Sequence, residues 1–396
     1  MAGITVSSIT SLVARYTNSV VNEQANEESR LLDESILPRK RAPDKVGVVN
    51  VKAGELSSIG ILADGGTLPT GAYVTPTQGT YSPVAFFGRI AVGRVAASLA
   101  SSLEDGIDLV KEEMESCGRG LGRQLGRAIA SLSLGSPAAS ASIGDTTFTV
   151  NDPSGFRVGM TVSIYNSSTP VEDVTITKVA PTTDGTASTI TCSTLTANWT
   201  TSYTIYLKGQ YGGGFLSFAD ATANASLYGV AATSNEWSGN LVSNSGTLRP
   251  LTLDLMRSTM RLHRRRRGKR PSHVLCNAVQ ETNYSNLLIN NRRFPSGSGK
   301  MDAVGGDAFE FEGVPVVADE NFGDNDMFLV NMEDCKLHEF RSFSPDFDGQ
   351  ADKSMNRGAV IVDQTNLTYD VQVWGAFNMR FNRRNGISRI TDLAAA

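Results

Sequence analysis

LSSIGILADGGTLPTGAYVTPTQGTYSPVAFFG, residues 56–88, carries one charged residue, Asp64, in 33 positions. Its middle is turn chemistry, Gly65 and Gly66 followed by Pro69 and Gly71, residues that supply positive φ or a fixed φ. β-branched and aromatic residues flank that turn at 59–62 and 73–84. The spacing predicts a long hairpin or β-rich excursion. A two-stranded hairpin is marginal in water by itself. One so poor in charge is expected to lie on something else, and a partner chain is a candidate for that support.

A helix is expected next. Apolar residues recur at Leu103, Ile107, Val110, Met114, Cys117, Leu121, Leu125, Ile129 and Leu132, steps of three and four that make one stripe. Ser101 with Glu104 forms a candidate capping box and Gly135 a candidate stop. At 1.5 Å per residue the helix would run about 45 Å. Gly118, Gly120, Gly122 and Gly126 fall in its second half, each costing about 1 kcal/mol relative to Ala, so a bend or a close backbone approach is expected. Upstream, residues 1–52 read as an arm. Pro38 and Pro43 interrupt a basic cluster of Arg39, Lys40, Arg41 and Lys45, which favours extended chain. The cluster suits either a solvated tail or an arm that grips a partner or phosphates.

Residues 141–208 are a different material, with seventeen Thr and eight charged residues. Alternating segments at 146–150, 161–165, 174–179, 189–195 and 203–207 are separated by turn groups such as Asn151-Asp152-Pro153 and Thr183-Asp184-Gly185. This pattern predicts an inserted small β sandwich or barrel. Beyond it, a helix is expected from Leu251 into the 260s, with Leu253, Met256 and Met260 on one face. A buried strand at 272–277, a helix at 279–290 and strands at 308–311, 314–317 and 327–330 follow. Alternating Leu367, Tyr369, Val371 and Val373 predict a long final strand.

The charged share is 19%, against about 25% in ordinary globular chains. Net charge is −4, which excludes an unfolded chain and a globally basic nucleic-acid binder, though not a local patch. The first residues lack the basic start of a secretory signal, and no run of 18 apolar residues predicts a membrane span. Cys117, Cys192, Cys276 and Cys335 form no CxxC pair, so free thiols are expected.

Little chemistry can be assembled. His263, His273 and His338 show no metal spacing, and surface or capping roles are expected for them. Gly297-Ser298-Gly299-Lys300 lacks the earlier glycine and the following Ser or Thr of a phosphate loop, with Phe294 and Met301 there instead. The acidic turn Asp319, Glu320, Asp324 and Asp326 lacks EF-hand order. No nucleophile elbow occurs. An enzyme is not expected, nor a cofactor or metal. One motif is strong in charge: Arg261, Arg264, Arg265, Arg266, Arg267, Lys269 and Arg270 place seven cations in ten residues. A helix C-terminus explains two or three of them. The others fit acidic groups of a neighbouring subunit, phosphates or a solvated face.

The order of arm, charge-poor excursion and long helix, followed by RPSHVLCN (270–277), FEFEGVPVVADENF (309–322) and MFLVNMEDCKLHEF (327–340), resembles the major capsid proteins of tailed phages. The resemblance implies an α+β fold of the Hong Kong ninety-seven type. It divides the chain into an N-terminal arm (1–52), an extended loop (53–93), a peripheral domain with a spine helix (94–138 and 359–396), an inserted β domain (139–210) and an axial domain (211–358). The inserted domain departs from the minimal fold, although related capsid proteins often carry one. The implied function is the shell subunit of an icosahedral phage head, assembling into hexamers and pentamers around the DNA genome.

Implied subunit contacts are Leu62, Asp64, Gly65, Gly66, Leu68, Pro69 and Tyr73 in the loop, Arg39, Lys40 and Arg41 in the arm, and the basic cluster toward a subunit or DNA. Implied partners are further copies of the chain, a separate scaffolding protein, a portal, possible decoration proteins and non-specifically held double-stranded DNA, with no membrane. The virion is the expected location, with assembly in the host cytoplasm. Some relatives cross-link a loop Lys to a neighbour's Asn. Residues 56–88 contain no Lys, with Lys45 and Lys52 only near the base, so no isopeptide cross-link is expected. Alternatives are an encapsulin-like shell, for which the insertion and arm are atypical, and a tail or adhesion protein, against which the long helix counts. Outside 56–88 and 141–208 the charged share rises to about 23%, so the deficit belongs to those two segments.

Overall fold

A computed structural model describes residues 29–33, 36–42, 45–51, 59, 61–62, 64, 66–67, 70–71, 76–93, 103–153, 155–180, 188–223, 225–232, 237–289, 309–345, 360–363 and 368–394. Two compact units divide the chain. The first is drawn from Met1–Lys45, Ser82–Ala128 and Leu337–Met379, the second from Val46–Tyr81, Ile129–Lys336 and Arg380–Ala396.

The first unit sets one long helix beside a five-stranded sheet. Helix α1, Leu103–Ala130, buries Met114, Leu121 and Leu125, as the stripe predicts. It ends at Ala130, and Gly135, the expected stop, lies in a short strand with φ +111°. Ser101 and the Glu104 side chain lie outside the described residues. Gly118, Gly122 and Gly126 are buried, whereas Gly120 is exposed; positions i, i+4 and i+8 share a face. Close approach is clearest on the sheet side, where a Cβ on Gly88 would stand 2.5 Å from the Cys117 sulfur.

Strand Val84–Gly93 pairs antiparallel with Thr368–Phe381, from Val84 opposite Phe377 to Gly93 opposite Thr368. Phe86, Phe343 and Phe377 form an aromatic core on that sheet. Part of the expected arm belongs to this unit. Leu31, Leu32 and Leu37 are fully buried, and Arg39–Arg41 is a parallel strand beside Leu337–Glu339. Residues 29–42 are therefore neither tail nor free arm, because three leucines supply a core that the prolines and basic residues obscure.

In the second unit, Gly47–Val51 pairs with Thr77–Tyr81. The hairpin's first strand thus precedes the quoted stretch, and Ile61 and Leu62 are not strand. GVVNV alternates, burying Val49 and Val51, which a reading centred on 59–62 misses. The hairpin base is seated on Tyr228. A Cβ on Gly79 would lie 2.7 Å from the Tyr228 Cβ, and the Tyr81 and Tyr228 rings are 5.2 Å apart. Tyr228 and Gly229 both have positive φ between mutually bonded Leu227 and Val230, a tight hairpin turn. The Phe381 N–H donates to the Tyr228 hydroxyl at 2.8 Å, which helps hold an unfavourable backbone.

Six antiparallel strands form the inserted module: Ser133–Gly135, Thr147–Val150, Thr161–Asn166, Thr169–Val179, Ser188–Cys192 and Thr204–Leu207. Pro137 bridges Val150 and the Ala138 N–H donates to the Thr149 carbonyl at 2.8 Å, joining the two edges so that the sheet curls into a barrel. Phe148, Phe156, Ile164, Ile176, Ile190 and Trp199 are among the side chains filling it. The Glu172 carboxylate accepts from the Thr196 N–H and hydroxyl, the Ala197 N–H and the Trp199 indole N–H, pinning the 196–199 loop to the wall.

The other part of this unit is a mixed sheet in the order Asn240–Val242, Ile387–Ile390, Met327–Val330, His273–Cys276, Val314–Ala318, Phe309–Phe311. Helices α2 (Phe218–Thr222), α3 (Leu253–Arg267) and α4 (Ala278–Ile289) accompany it. Met256 and Met260 of α3 and Tyr284 of α4 join its core. Two expected boundaries change. Ile387–Ile390 pairs with Met327–Val330 instead of returning to the helix-bearing unit, and Cys335–Pro345 extends from residues placed in 211–358 into the first unit's sheet. Neither strand's own residues say which sheet receives it. Among the described residues no helix is long and apolar enough to cross a membrane.

Candidate assembly surfaces

Every described residue from Ile59 to Gln78 is exposed. Ile59 is 77% and Ile61 105% exposed, with Leu62 at 41%. Fully burying such a side chain is worth about 1.5–3 kcal/mol, so these three form an unfilled contact on a hairpin whose base is fixed. Of the expected loop contacts, Leu62, Asp64 and Gly66 are exposed; Gly65, Leu68, Pro69 and Tyr73 lie outside the described residues. The first unit has its own apolar exposure. Phe87 is 76% exposed, opposite Trp374 in register, with the Arg341 guanidinium 3.9 Å from the Trp374 ring centre.

The basic cluster divides in two. Arg267 makes a bidentate pair with Asp334 at 2.5 and 2.9 Å, and both side chains are nearly buried. Arg266 donates to the Gly239 carbonyl at 2.8 Å and to Asn240 Oδ1, while Asn385 Nδ2 donates back to the Arg266 carbonyl. Lys269 pairs with Glu333 at the surface, and Arg270 donates to the Glu312 carbonyl at 3.2 Å. Arg261, Arg264 and Arg265 are exposed. Of the arm residues, Arg39 donates to the Leu32 carbonyl at 2.6 Å, while Lys40 and Arg41 are exposed on their strand. The internal partners of Arg266 and Arg267 lie 26 to 119 residues away in sequence, so charge counting could not separate the two halves.

The histidines correct the expected surface roles: His263 and His338 are buried and His273 is half-buried. His263 Nδ1 is 3.0 Å from the Ser388 hydroxyl, and its Nε2 has no hydrogen-bond partner among the described residues. Desolvation, helped by the Arg267 charge, pushes its pKa down to about 4. The unfolded chain takes up a proton near pH 6.5 that the folded chain refuses until about pH 4. Stability from this group is therefore complete above pH 6.5 and lost as pH falls toward 4, by about 3 kcal/mol. Urea midpoints at pH 7 and pH 4.5 check this: His263→Gln should flatten the difference, and an unchanged pH slope would refute the assignment.

Burial pushes the Cys117 and Cys192 thiols up to about 11 and raises Cys276 and Cys335 as well. All four cysteines are free and protonated at neutral pH. The acidic turn is braced from within. Asp326 pairs with Arg389 at 2.6 Å, Asn277 donates to Asp324, and Asp319 accepts from the Asn321 N–H at 2.8 Å. Among the described residues no three His, Cys, Asp or Glu side chains are grouped to hold a metal. Residues 297–300 lie outside the described residues.

No curated protein matches the chain. Among solved structures, a subunit of the cyanophage A-1(L) capsid is 12% identical, with 90% of each chain covered and a TM-score of 0.54, which shows a shared capsid fold. A chain of Mycobacterium phage Adephagia, 11% identical over 98% of each chain, has a TM-score of 0.47. The SrpI encapsulin of Synechococcus elongatus PCC 7942, 9% identical over 91% of this chain and 87% of its own, has a TM-score of 0.43. The family model for the SU10 major capsid protein matches residues 163–361, half of the chain, taking in most barrel strands and all of the mixed sheet but Ile387–Ile390. With the α+β capsid fold, this match places the chain in the SU10 major capsid protein family, as a phage major capsid protein that self-assembles into the virion shell.

Proposed function

We propose that the chain builds hexamers and pentamers of an icosahedral head enclosing a DNA genome. The observation that carries this is the exposed, charge-poor excursion on a rigid base: Ile59, Ile61 and Leu62 face solvent above a hairpin locked to Tyr228. Large obligate interfaces accommodate apolar surface that a monomer avoids. The loop, with Leu62, Asp64, Gly65, Gly66, Leu68, Pro69 and Tyr73, clasps a neighbouring copy, and Arg39–Arg41 reinforces the sheet that bears Phe87. The barrel projects from the shell as decoration or as a clamp between capsomers. A separate scaffolding protein, a portal and decoration proteins complete the particle, which assembles in the host cytoplasm. Its work is mechanical, without catalysis.

Replacing residues 56–76 by a short Gly-Ser linker tests the loop. Wild-type chain co-expressed with its scaffold should give closed shells by negative-stain microscopy. The linker variant should stay as small oligomers with unchanged circular dichroism. Normal shells from that variant would overturn the role. Mature particles should run as monomer on a denaturing gel, because the loop offers no Lys between 56 and 88; a ladder above monomer would show a cross-link and refute this.

A further inference from the structure

We infer that the exposed face of α3 formed by Arg261, Arg264 and Arg265, continued by Arg270, is a binding surface for the phosphate backbone of double-stranded DNA. The inference rests on the shell reading for its setting and assigns that reading its polyanion contact. Positions 261, 264 and 265 are i, i+3 and i+4, one face of the helix, and all three are exposed. No hydrogen bond or ion pair holds them among the described residues. The nearby acids are already engaged: Glu312 with Arg257 at 3.4 Å and Glu333 with Lys269 at 2.7 Å. Among the described residues Arg270 binds the Glu312 carbonyl and no carboxylate.

Like charges at these spacings repel and weaken a helix. The negative end of the helix dipole relieves part of that repulsion, and Arg267 adds little to it because Asp334 neutralises its charge inside the unit. Four exposed guanidinium groups without an ionic partner among the described residues remain within ten residues. Guanidinium binds phosphate through paired N–H groups and is weakly hydrated, and six of the seven cations in the run are Arg. The chain as a whole carries −4. With a net negative chain, contact with a polyanion needs a local positive patch of this kind. A neighbouring copy's exposed carboxylates, such as Glu112 and Glu113 on α1, are the competing occupant. Two carboxylates would leave half the stripe uncompensated.

The test uses the unassembled full-length chain and a fluorescent 30-base-pair duplex of random sequence, with binding followed from 50 to 200 mM salt. Arg261→Gln/Arg264→Gln/Arg265→Gln should weaken binding at least tenfold at 100 mM salt. It should reduce the slope of log affinity against log salt by about 3, close to one counterion per arginine. The Lys-substituted triple variant, which keeps the charge, should retain most of the slope. Lys40→Gln/Arg41→Gln, which removes two exposed cations elsewhere, should leave the slope unchanged. The proposal is overturned if the wild-type chain does not bind at 50 mM salt, or if the Gln variant keeps the wild-type slope. A Gln variant that binds DNA normally but no longer forms shells would assign the stripe to a neighbouring subunit instead. Failure of the wild-type chain to form shells would sink the shell reading separately, since the salt slope is read on unassembled chain.

Discussion

Replacing Arg384 by Met is expected to cost the second unit about 3–5 kcal/mol of stability. The side chain is fully buried and faces no carboxylate in the contacts it makes. It spans carbonyls of the last turn of α2 and the residues just after it, donating from Nε to Ala221 at 3.0 Å, from Nη1 to Ala225 at 2.7 Å, and from Nη2 to Asp220 and Ala223. A five-residue helix cannot satisfy its own terminal carbonyls, and here a single guanidinium does so from more than 150 residues away. Met fills the volume but leaves the buried Ala221 carbonyl and three part-buried ones unpaired, at up to about 1–3 kcal/mol each, with some recovered by entering water. Lys keeps the charge but has three N–H groups on one nitrogen, so Arg384→Lys should fall between Met and wild type. Urea titrations followed by tryptophan fluorescence check the series. A Met variant within 1 kcal/mol of wild type would show that water replaces the guanidinium fully.

What the sequence discloses follows how local the determining interaction is. The barrel strands are legible because each alternates within itself: in Ser188–Cys192, positions 188, 190 and 192 are buried and 189 is not. The spine stripe is legible for the same reason, with Met114, Leu121 and Leu125 inside. Element limits fixed by partners elsewhere are not. The excursion is anchored through Gly79 against Tyr228, about 150 residues apart, so its low charge predicts that it needs support but places its first strand wrongly. Arg39–Arg41 looks like arm because its basic residues and prolines are visible, while its pairing with Leu337–Glu339 is not. Ile387–Ile390 is buried on both faces, as a strand in the middle of a covered sheet is, but its four residues do not say in which sheet.

The same distinction decides the second large effect, expected for Arg267→Met. This residue belongs to the same basic run as Arg264 and Arg265, yet its guanidinium is nearly buried against Asp334. Gly386 approaches that carboxylate so closely that a Cβ there would lie 2.4 Å from Asp334 Oδ2. Removing Arg267 strands the Asp334 carboxylate without its counter-ion, a loss of about 3–5 kcal/mol. The pair itself is worth far less than that, because taking both ions out of water cancels much of their attraction. Arg267→Met/Asp334→Leu should therefore recover a large part of the deficit, a result that simple loss of packing would not give. Thermal melts of the single and double variants measure the difference, and a double variant no more stable than Arg267→Met would refute the stranded charge. DNA binding by whichever of these variants stays folded should keep the wild-type salt slope, because the internal half of the run faces its own unit and only the outer arginines face solvent.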